Sequence, residues 1–337
     1  MKFKYLVIAL FLFAQSCSLS PKIGARNTHE PQIEQQKIRD YLLSKHVNGS
    51  IAVVKKDKVI FNEGIGLANR ASGRANLPST TFPIGSITKL MVATSILQLQ
   101  EKGKLSTEDS VSTFIPNFPN GRRIKLIYLL NHTSGIEENL FFHGKSKDMF
   151  KGISVKFPAG KKWDYNDINY FVLGLVVEKV SGESLHNYIQ KNIFEKASMQ
   201  HSGFMTQSRP MPFTSKGYIK TGDYELPVNI LNMAELFGCG DIYATALDLC
   251  LFDEALLSGK LLTERSLQEM LKPGSQSKYG EGVYINDNKV FSRGVVGGWE
   301  TLHVFFKDHT IIVILLNVRD KNINIHQLSS DIKNIIH

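Results

Sequence analysis

The spacing of apolar residues changes character from segment to segment, and each change predicts a different kind of element. Residues 5–14 form a short unbroken apolar run behind Lys2 and Lys4. From Ile33 the series Ile33, Ile38, Tyr41 and Leu42 lies on one stripe and predicts a helix through Ser44. Two short β-rich runs, 51–54 and 59–61, flank the polar Lys56-Asp57-Lys58 at hairpin spacing. The stretch 86–100 is apolar on nearly every side, which predicts a central buried helix ended by Gly103. Helical spacing continues at 127–130, at 168–180 with Gly182 as its stop, at 185–193 and at 246–257. Strand character returns at 290–291, 302–306 and 310–316, and the segment 323–336 closes the chain as an amphipathic helix.

The two ends of the chain therefore supply a sheet flanked by helices, and the middle supplies a mostly helical lobe. No clean linker bounds that lobe, and no repeat or low-complexity tract is present. The expectation is a discontinuous α+β unit over 33–337, its sheet drawn from 33–85 and 280–337 and its inserted lobe from 86–279. A cleft between sheet and lobe is where a site belongs.

Residues 1–16 read as an export signal, because the ten-residue apolar run is too short to cross a hydrocarbon layer of about 30 Å as a helix. No later segment reaches the roughly 20 apolar residues a span requires. Phe13-Ala-Gln-Ser-Cys17 resembles a permissive lipobox in which Cys17 would carry lipid; plain cleavage after an A-x-S site is the alternative. The polar segment 17–32, punctuated by Pro21 and Pro31, suits a tether. The expected location is the periplasm or cell envelope, with a membrane contact through lipid.

Composition changes this picture little. Hydrophobic residues make up 42% and charged residues 21%, an ordinary globular mix. The formal charge is +9, two units of which lie in the leader, and pairs such as Arg122-Arg123 and Lys161-Lys162 read as solvated faces, so nucleic acid is not an expected partner. Cys239 and Cys250 are too few for a disulfide framework and read as buried thiols. The ten His are scattered without HExxH or Cys/His spacing, so neither a metal nor another cofactor is expected.

The chemistry concentrates at Phe82-Pro-Ile-Gly-Ser86-Ile-Thr-Lys89, at the mouth of the central helix. A Ser and a Lys three apart share a helical face, so the Lys89 amine can act as base toward the Ser86 hydroxyl if burial strips its proton. The helix N-terminus offers partial positive charge to an oxyanion. The competing reading makes Ser86 a helix cap and Lys89 a surface residue.

Further segments tip the balance. Gly64-Ile-Gly-Leu-Ala-Asn69, Leu129-Leu-Asn-His132-Thr-Ser-Gly135, Phe157-Pro-Ala-Gly160, and Gly238-Cys-Gly240 with Thr245-Ala-x-Asp248 occur in the order found in the serine β-lactamase and penicillin-binding family, which the chain resembles over about 33–317. The likeness is to its class C-type, D-Ala-D-Ala carboxypeptidase and esterase branch. It implies the β-lactamase/transpeptidase-like fold and an acyl-enzyme on Ser86. The Y-x-N motif of that branch falls on Tyr165-Asn166-Asp167, where Tyr165 would share a proton with Lys89 and pass it to the leaving group. Asp167 departs from the pattern, and either caps the helix beginning at Ile168 or orients substrate or Lys89.

The third motif, K-T-G or H-x-G, has two candidates. Lys220-Thr221-Gly222 is a literal match, but Thr-Gly-Asp reads as hairpin-turn chemistry and the segment precedes Gly238-Cys-Gly240, which makes it a decoy. By order, Ser292-Arg293-Gly294 is the equivalent. Strand alternation lets only one of Ser292 and Arg293 face the site, and the resemblance gives Ser292 that position. It also implies an oxyanion hole built from the N–H groups of Ser86 and Val295. The implied function is a serine hydrolase acting on an amide, β-lactam or ester carbonyl of a small molecule or peptidoglycan peptide. The alternative is a catalytically silent envelope protein that keeps the fold to bind a ligand or act as a scaffold.

The leader carries its own test. Cys17→Ser should move the protein from the membrane fraction to the soluble exported fraction, read by fractionation and immunoblot; wild-type protein already soluble after export would contradict lipidation.

Overall fold

The structure, a computed structural model, describes residues 29–137, 150, 152–205, 214–228, 233–274 and 277–337. The expected export signal, Cys17 and most of the tether lie outside them. The first helix, α1 (His29–Ser44), begins inside the segment expected as tether. Pro31 is no obstacle there, since an N–H in the first turn has no intrahelical acceptor to lose.

A six-stranded antiparallel sheet organises the molecule. Its strands are β1 (Gly49–Lys55), β2 (Lys58–Ile65), β5 (Tyr284–Asn286), β6 (Lys289–Val296), β7 (Trp299–Phe306) and β8 (Thr310–Leu316). They lie in the order β5-β6-β7-β8-β1-β2, so the two ends of the chain meet where β8 pairs β1. Between them in sequence, β3 (Gly217–Thr221) and β4 (Tyr224–Val228) form the hairpin expected around Gly222, and β9 (Val318–Arg319) adds to it in parallel.

Period-two alternation sorts the sheet into two cores. Ile51, Val53, Ile312 and Ile314 face α1 and the C-terminal helix α5 (Ile325–Ile335), packing on Ile38, Leu42, Leu328 and Ile332. Ala52, Val54, Val313 and Leu315 face the other way, toward α4 (Ala246–Leu257) and the inserted lobe. Both faces of β8 are covered, which is why its sequence is a continuous apolar run. Between α4 and β7, His303 Nδ1 lies 3.0 Å from the Asp253 carboxylate.

The central helix α2 (Thr88–Glu101) is buried on every side from Thr88 to Leu99, as its unbroken apolar character predicts. Several of its polar side chains donate to backbone carbonyls. Thr94 and Ser95 donate to the carbonyls four residues back, and the Gln98 amide donates to the carbonyls of Asn192 and Leu261. Alongside it runs α3 (Asp167–Ser181), closed by Gly182 in the left-handed region at φ 76°. The insert is not wholly helical, since Phe82–Pro83, Gly203–Phe204 and Ile242–Ala244 form a small sheet that ties the entry of α2 to the lobe.

Candidate active site

Ser86 lies in a short 3₁₀ turn, Gly85–Ile87, that feeds into α2. It does not cap the helix: Ile87 holds the cap position and makes no side-chain cap bond. The turn is pressed against β6, and glycine permits this on both sides. A Cβ on Gly294 would fall 1.9 Å from the Ile84 carbonyl oxygen, and one on Gly85, whose φ is +54°, would fall 3.0 Å from the Val295 nitrogen. Thr301 of β7 completes the join by donating to the Ile84 carbonyl at 2.9 Å.

Lys89, the second residue of α2, is only 1% exposed. Its ammonium donates to Ser86 Oγ at 3.1 Å and to the Cys239 carbonyl at 2.8 Å, and lies 2.7 Å from Asp167 Oδ1. Two hydrogen bonds and one ion pair thus surround the charge. Burial opposes the charge, but Asp167, with lesser help from Tyr165 and Cys239, outweighs it and holds the group well above the ordinary lysine value. The resting group is an ammonium.

Tyr165 donates its hydroxyl proton to Ser86 Oγ at 2.7 Å, and its ring lies under the Lys89 nitrogen at 5.1 Å. Burial raises its phenol above the usual value despite the neighbouring Lys89 charge, so it rests neutral. Asn166, not Asp167, caps α3, its side chain accepting from the Ile168 N–H at 2.8 Å. Of the two readings of Asp167, capping is thus excluded; its carboxylate turns back to Lys89.

A platform beneath Tyr165 comes from the segment 131–136. His132 adopts a left-handed backbone at φ 57°, and its ring packs 4.3 Å from the ring of Tyr165. Burial first, and Lys89 second, push the imidazole well below its ordinary pKa. Its Nδ1 accepts from the Asn166 N–H at 3.3 Å, which fixes the backbone between Tyr165 and Asp167. Asn169 lies 3.0 Å from the same nitrogen and accepts from Ser134 at 2.6 Å. The His-Thr-Ser-Gly stretch was visible in the sequence only through a resemblance; its supporting role required the fold.

These groups open on a cleft of about 360 Å³ lined by Ser86, Tyr165, Asp167, Ser292, Arg293 and Val295, together with Tyr279, Gly282 and Tyr284. The last three were missed, because nothing in their local pattern marks them. Ser292 is 4% exposed and donates to the Gly282 carbonyl at 2.9 Å. Arg293 also lines the cleft, with its guanidinium on Glu300 at 2.7 Å, contrary to the expectation that only one of the pair would. The reason is the sheet edge: β5 pairs only residues 289–291 of β6, so 292–296 form an open rim that side chains can reach from both faces. Gly294 contributes the close approach rather than a lining atom. Lys220 lies elsewhere, paired with Asp320 at 3.1 Å. Cys239 and Cys250 are buried free thiols, and among the described residues no cluster of His, Cys, Asp or Glu could hold a metal ion.

Comparison with known proteins gives the family and the fold. Residues 35–324 match the Beta-lactamase family model, and the chain belongs to that family. It is 39% identical over 90% of its length to a provisionally named penicillin-binding protein, PbpX, of Bacillus subtilis, covering 78% of that protein. It is 30% identical over 91% of its length to the teichoic acid D-alanine hydrolase of Staphylococcus aureus, covering 79% of it. The crystal structure of FmtA from Staphylococcus aureus superposes with a TM-score of 0.79 at 27% identity, over 90% of this chain and 88% of that one.

Next to Gly282, Glu281 is buried with its Oε2 unpartnered, and burial, with a smaller contribution from Glu269, raises its carboxyl from 4.5 to about 8. The folded state therefore holds a proton that the unfolded chain releases, and stability falls as pH rises through the interval between those values. Glu281→Gln removes this loss. Its melting temperature relative to wild type should climb steadily from pH 4.5 to pH 8; a difference constant with pH would show that Glu281 is not buried uncharged.

Proposed function

We propose that this Beta-lactamase-family chain is an exported serine hydrolase that transfers an acyl group from an ester or amide to Ser86 and then to water. The observation that carries the reading is the Ser86 hydroxyl, facing an open cleft while held between the Tyr165 phenol at 2.7 Å and the Lys89 ammonium at 3.1 Å. Such an arrangement has no structural need that a simpler pair would not meet, and it supplies a nucleophile, a proton acceptor and a proton donor within reach of one carbonyl.

The resting proton inventory dictates the order of steps. Lys89 is charged and Tyr165 neutral, so neither can accept a proton from Ser86 until one moves. Asp167 is half exposed. Substrate entering the cleft displaces its water, which disfavours the buried Lys89 charge, and release of one Lys89 proton to solvent leaves a neutral amine 3.1 Å from Ser86. That amine takes the Ser86 proton as Oγ bonds to the carbonyl carbon. The oxyanion is met by the N–H groups of Ser86 and Val295, brought together by the glycine contact of the turn and β6. Collapse breaks the bond to the leaving group, which takes the Tyr165 proton, and Lys89 restores it to the phenolate. Water then enters by the reverse sequence and frees Ser86.

The substrate class follows from Ser292. A cation at that position would make a charge-assisted bond to a substrate carboxylate, worth about 1.5–3 kcal/mol, against about 0.5–1.5 kcal/mol for a neutral hydroxyl. Here the hydroxyl is already committed to Gly282. Substrates that present a free carboxylate at that point, as penicillins and D-Ala-D-Ala peptides do, lose by the exchange, and esters without one do not. The relationship to a D-alanine hydrolase supports D-alanyl esters as the class to try first.

A fluorophosphonate or fluorescent penicillin should label wild-type protein, and intact mass with peptide mapping should place the adduct on Ser86. Ser86→Ala should abolish it; labelling that persists would remove Ser86 from the mechanism, and a folded wild type that no acylating probe labels would favour the silent scaffold. In Asp167→Asn the charged form of Lys89 loses its main support, so the ascending limb of kcat/KM should move to lower pH by about a unit or more. A limb that stays in place would mean that the Lys89–Asp167 pair does not set the active protonation state.

A further inference from the structure

Beside the cleft lies a second groove, of about 340 Å³, and Arg293 lines both. Four cations face the groove: Arg293 from β6, Lys220 from β3, Arg319 at the end of β9, and Lys321 just beyond it. Two acids share its wall, and each is matched. Glu300 holds Arg293 at 2.7 Å and Asp320 holds Lys220 at 3.1 Å. Arg319 and Lys321 remain, exposed and without an ion-pair or side-chain hydrogen-bond partner among the described residues.

Two unmatched like charges beside a groove repel each other and contribute nothing to packing. Their backbone is nevertheless fixed: Arg319 pairs with Ile219 in the parallel β9–β3 ladder, and Asp320 between them accepts from the Asn322 N–H. A guanidinium fork and an ammonium point charge, held two residues apart, suit the oxygens of phosphate. Arg293 is common to both walls, so the groove adjoins the cleft, and a ligand reaching both carries an uncharged acyl group on one unit and an anionic group on the next.

Building on the hydrolase reading above, we propose that the groove of Lys220, Arg293, Arg319 and Lys321 binds the phosphodiester backbone of an anionic polymer, presenting an acyl ester on the adjoining unit to Ser86. The cleft then recognises the acyl group and the groove recognises the chain that carries it. Interactions of this kind are screened by salt, so affinity for the chain falls with ionic strength while affinity for a small neutral ester does not.

The test separates binding from chemistry by using the Ser86→Ala protein. A synthetic, unacylated glycerol phosphate oligomer is titrated against it by calorimetry, with poly-glutamate of equal charge and vesicles containing phosphatidylglycerol as parallel arms. The oligomer should bind, with affinity falling about tenfold or more in Arg319→Ser/Lys321→Ser and on raising salt from about 50 to about 500 mM. Arg319→Lys, which keeps the charge, should retain most of the affinity. In the otherwise wild-type enzyme the double substitution should lower kcat/KM for a D-alanyl ester borne on the oligomer about tenfold relative to D-alanine methyl ester. Equal oligomer binding by the double variant would overturn the proposal. So would poly-glutamate binding as tightly, or capture by vesicles without binding of the soluble oligomer. The binding outcomes do not depend on whether Ser86 is acylated.

Discussion

A buried ammonium is the constraint on which the rest of the site depends. Removing a lysine charge from water costs several kcal/mol unless its protons are taken up by fixed acceptors. Lys89 has two such acceptors and an ion-pair partner, and they come from separate regions of the chain: Ser86 one turn back, the Cys239 carbonyl in the Gly-Cys-Gly segment, and the Asp167 carboxylate at the start of α3. Each must stand where the ammonium requires it, so a single charge sets the relative positions of the turn, the helix and the loop. The same contacts decide the protonation of the site, because the carboxylate that makes burial tolerable also keeps the amine from serving as a base until substrate arrives.

The second constraint is steric. The turn that carries Ser86 can meet β6 only where both backbones lack a side chain, and Gly85 and Gly294 provide that. This contact sets Ser86 beside Val295, and the short β5 leaves the rim of β6 open for an incoming carbonyl. His132 adds rigidity from below, with one ring nitrogen fixing the peptide that joins Tyr165 to Asp167. Polar side chains at the centre of the molecule are tied together in this way instead of being excluded from it, which is how a buried site keeps one geometry.

Much of this could be read from the chain, for identifiable reasons. The helix α2 was legible because a run apolar on all sides leaves no solvent face, and β8 because both its faces are covered. Ser86 and Lys89 stand close in sequence, so their proximity follows from helical spacing alone. Asp167 was ambiguous because a helix N-terminus gives two neighbouring residues equal claim to the cap, and only the fold shows that Asn166 takes it. Tyr279, Gly282 and Tyr284 were invisible, since they lie more than a hundred residues from Ser86 and Tyr165, in a stretch without periodicity that ends at the three-residue β5. The expectation that Ser292 and Arg293 would exclude each other rested on alternation, which holds along β6, whose register with β7 is unbroken; at the uncovered edge side chains from both faces still reach one cleft.

The protonation of Lys89 is the point on which the account stands most directly. Selective labelling of lysine side chains, with the Lys89 resonance assigned by comparison with Lys89→Arg, gives its charge state by NMR as pH is raised. The account predicts an ammonium signal that persists to beyond pH 10.5 in the resting protein. A Lys89 resonance already that of a neutral amine at pH 7 to 8 would contradict it, and with it the role assigned to Asp167.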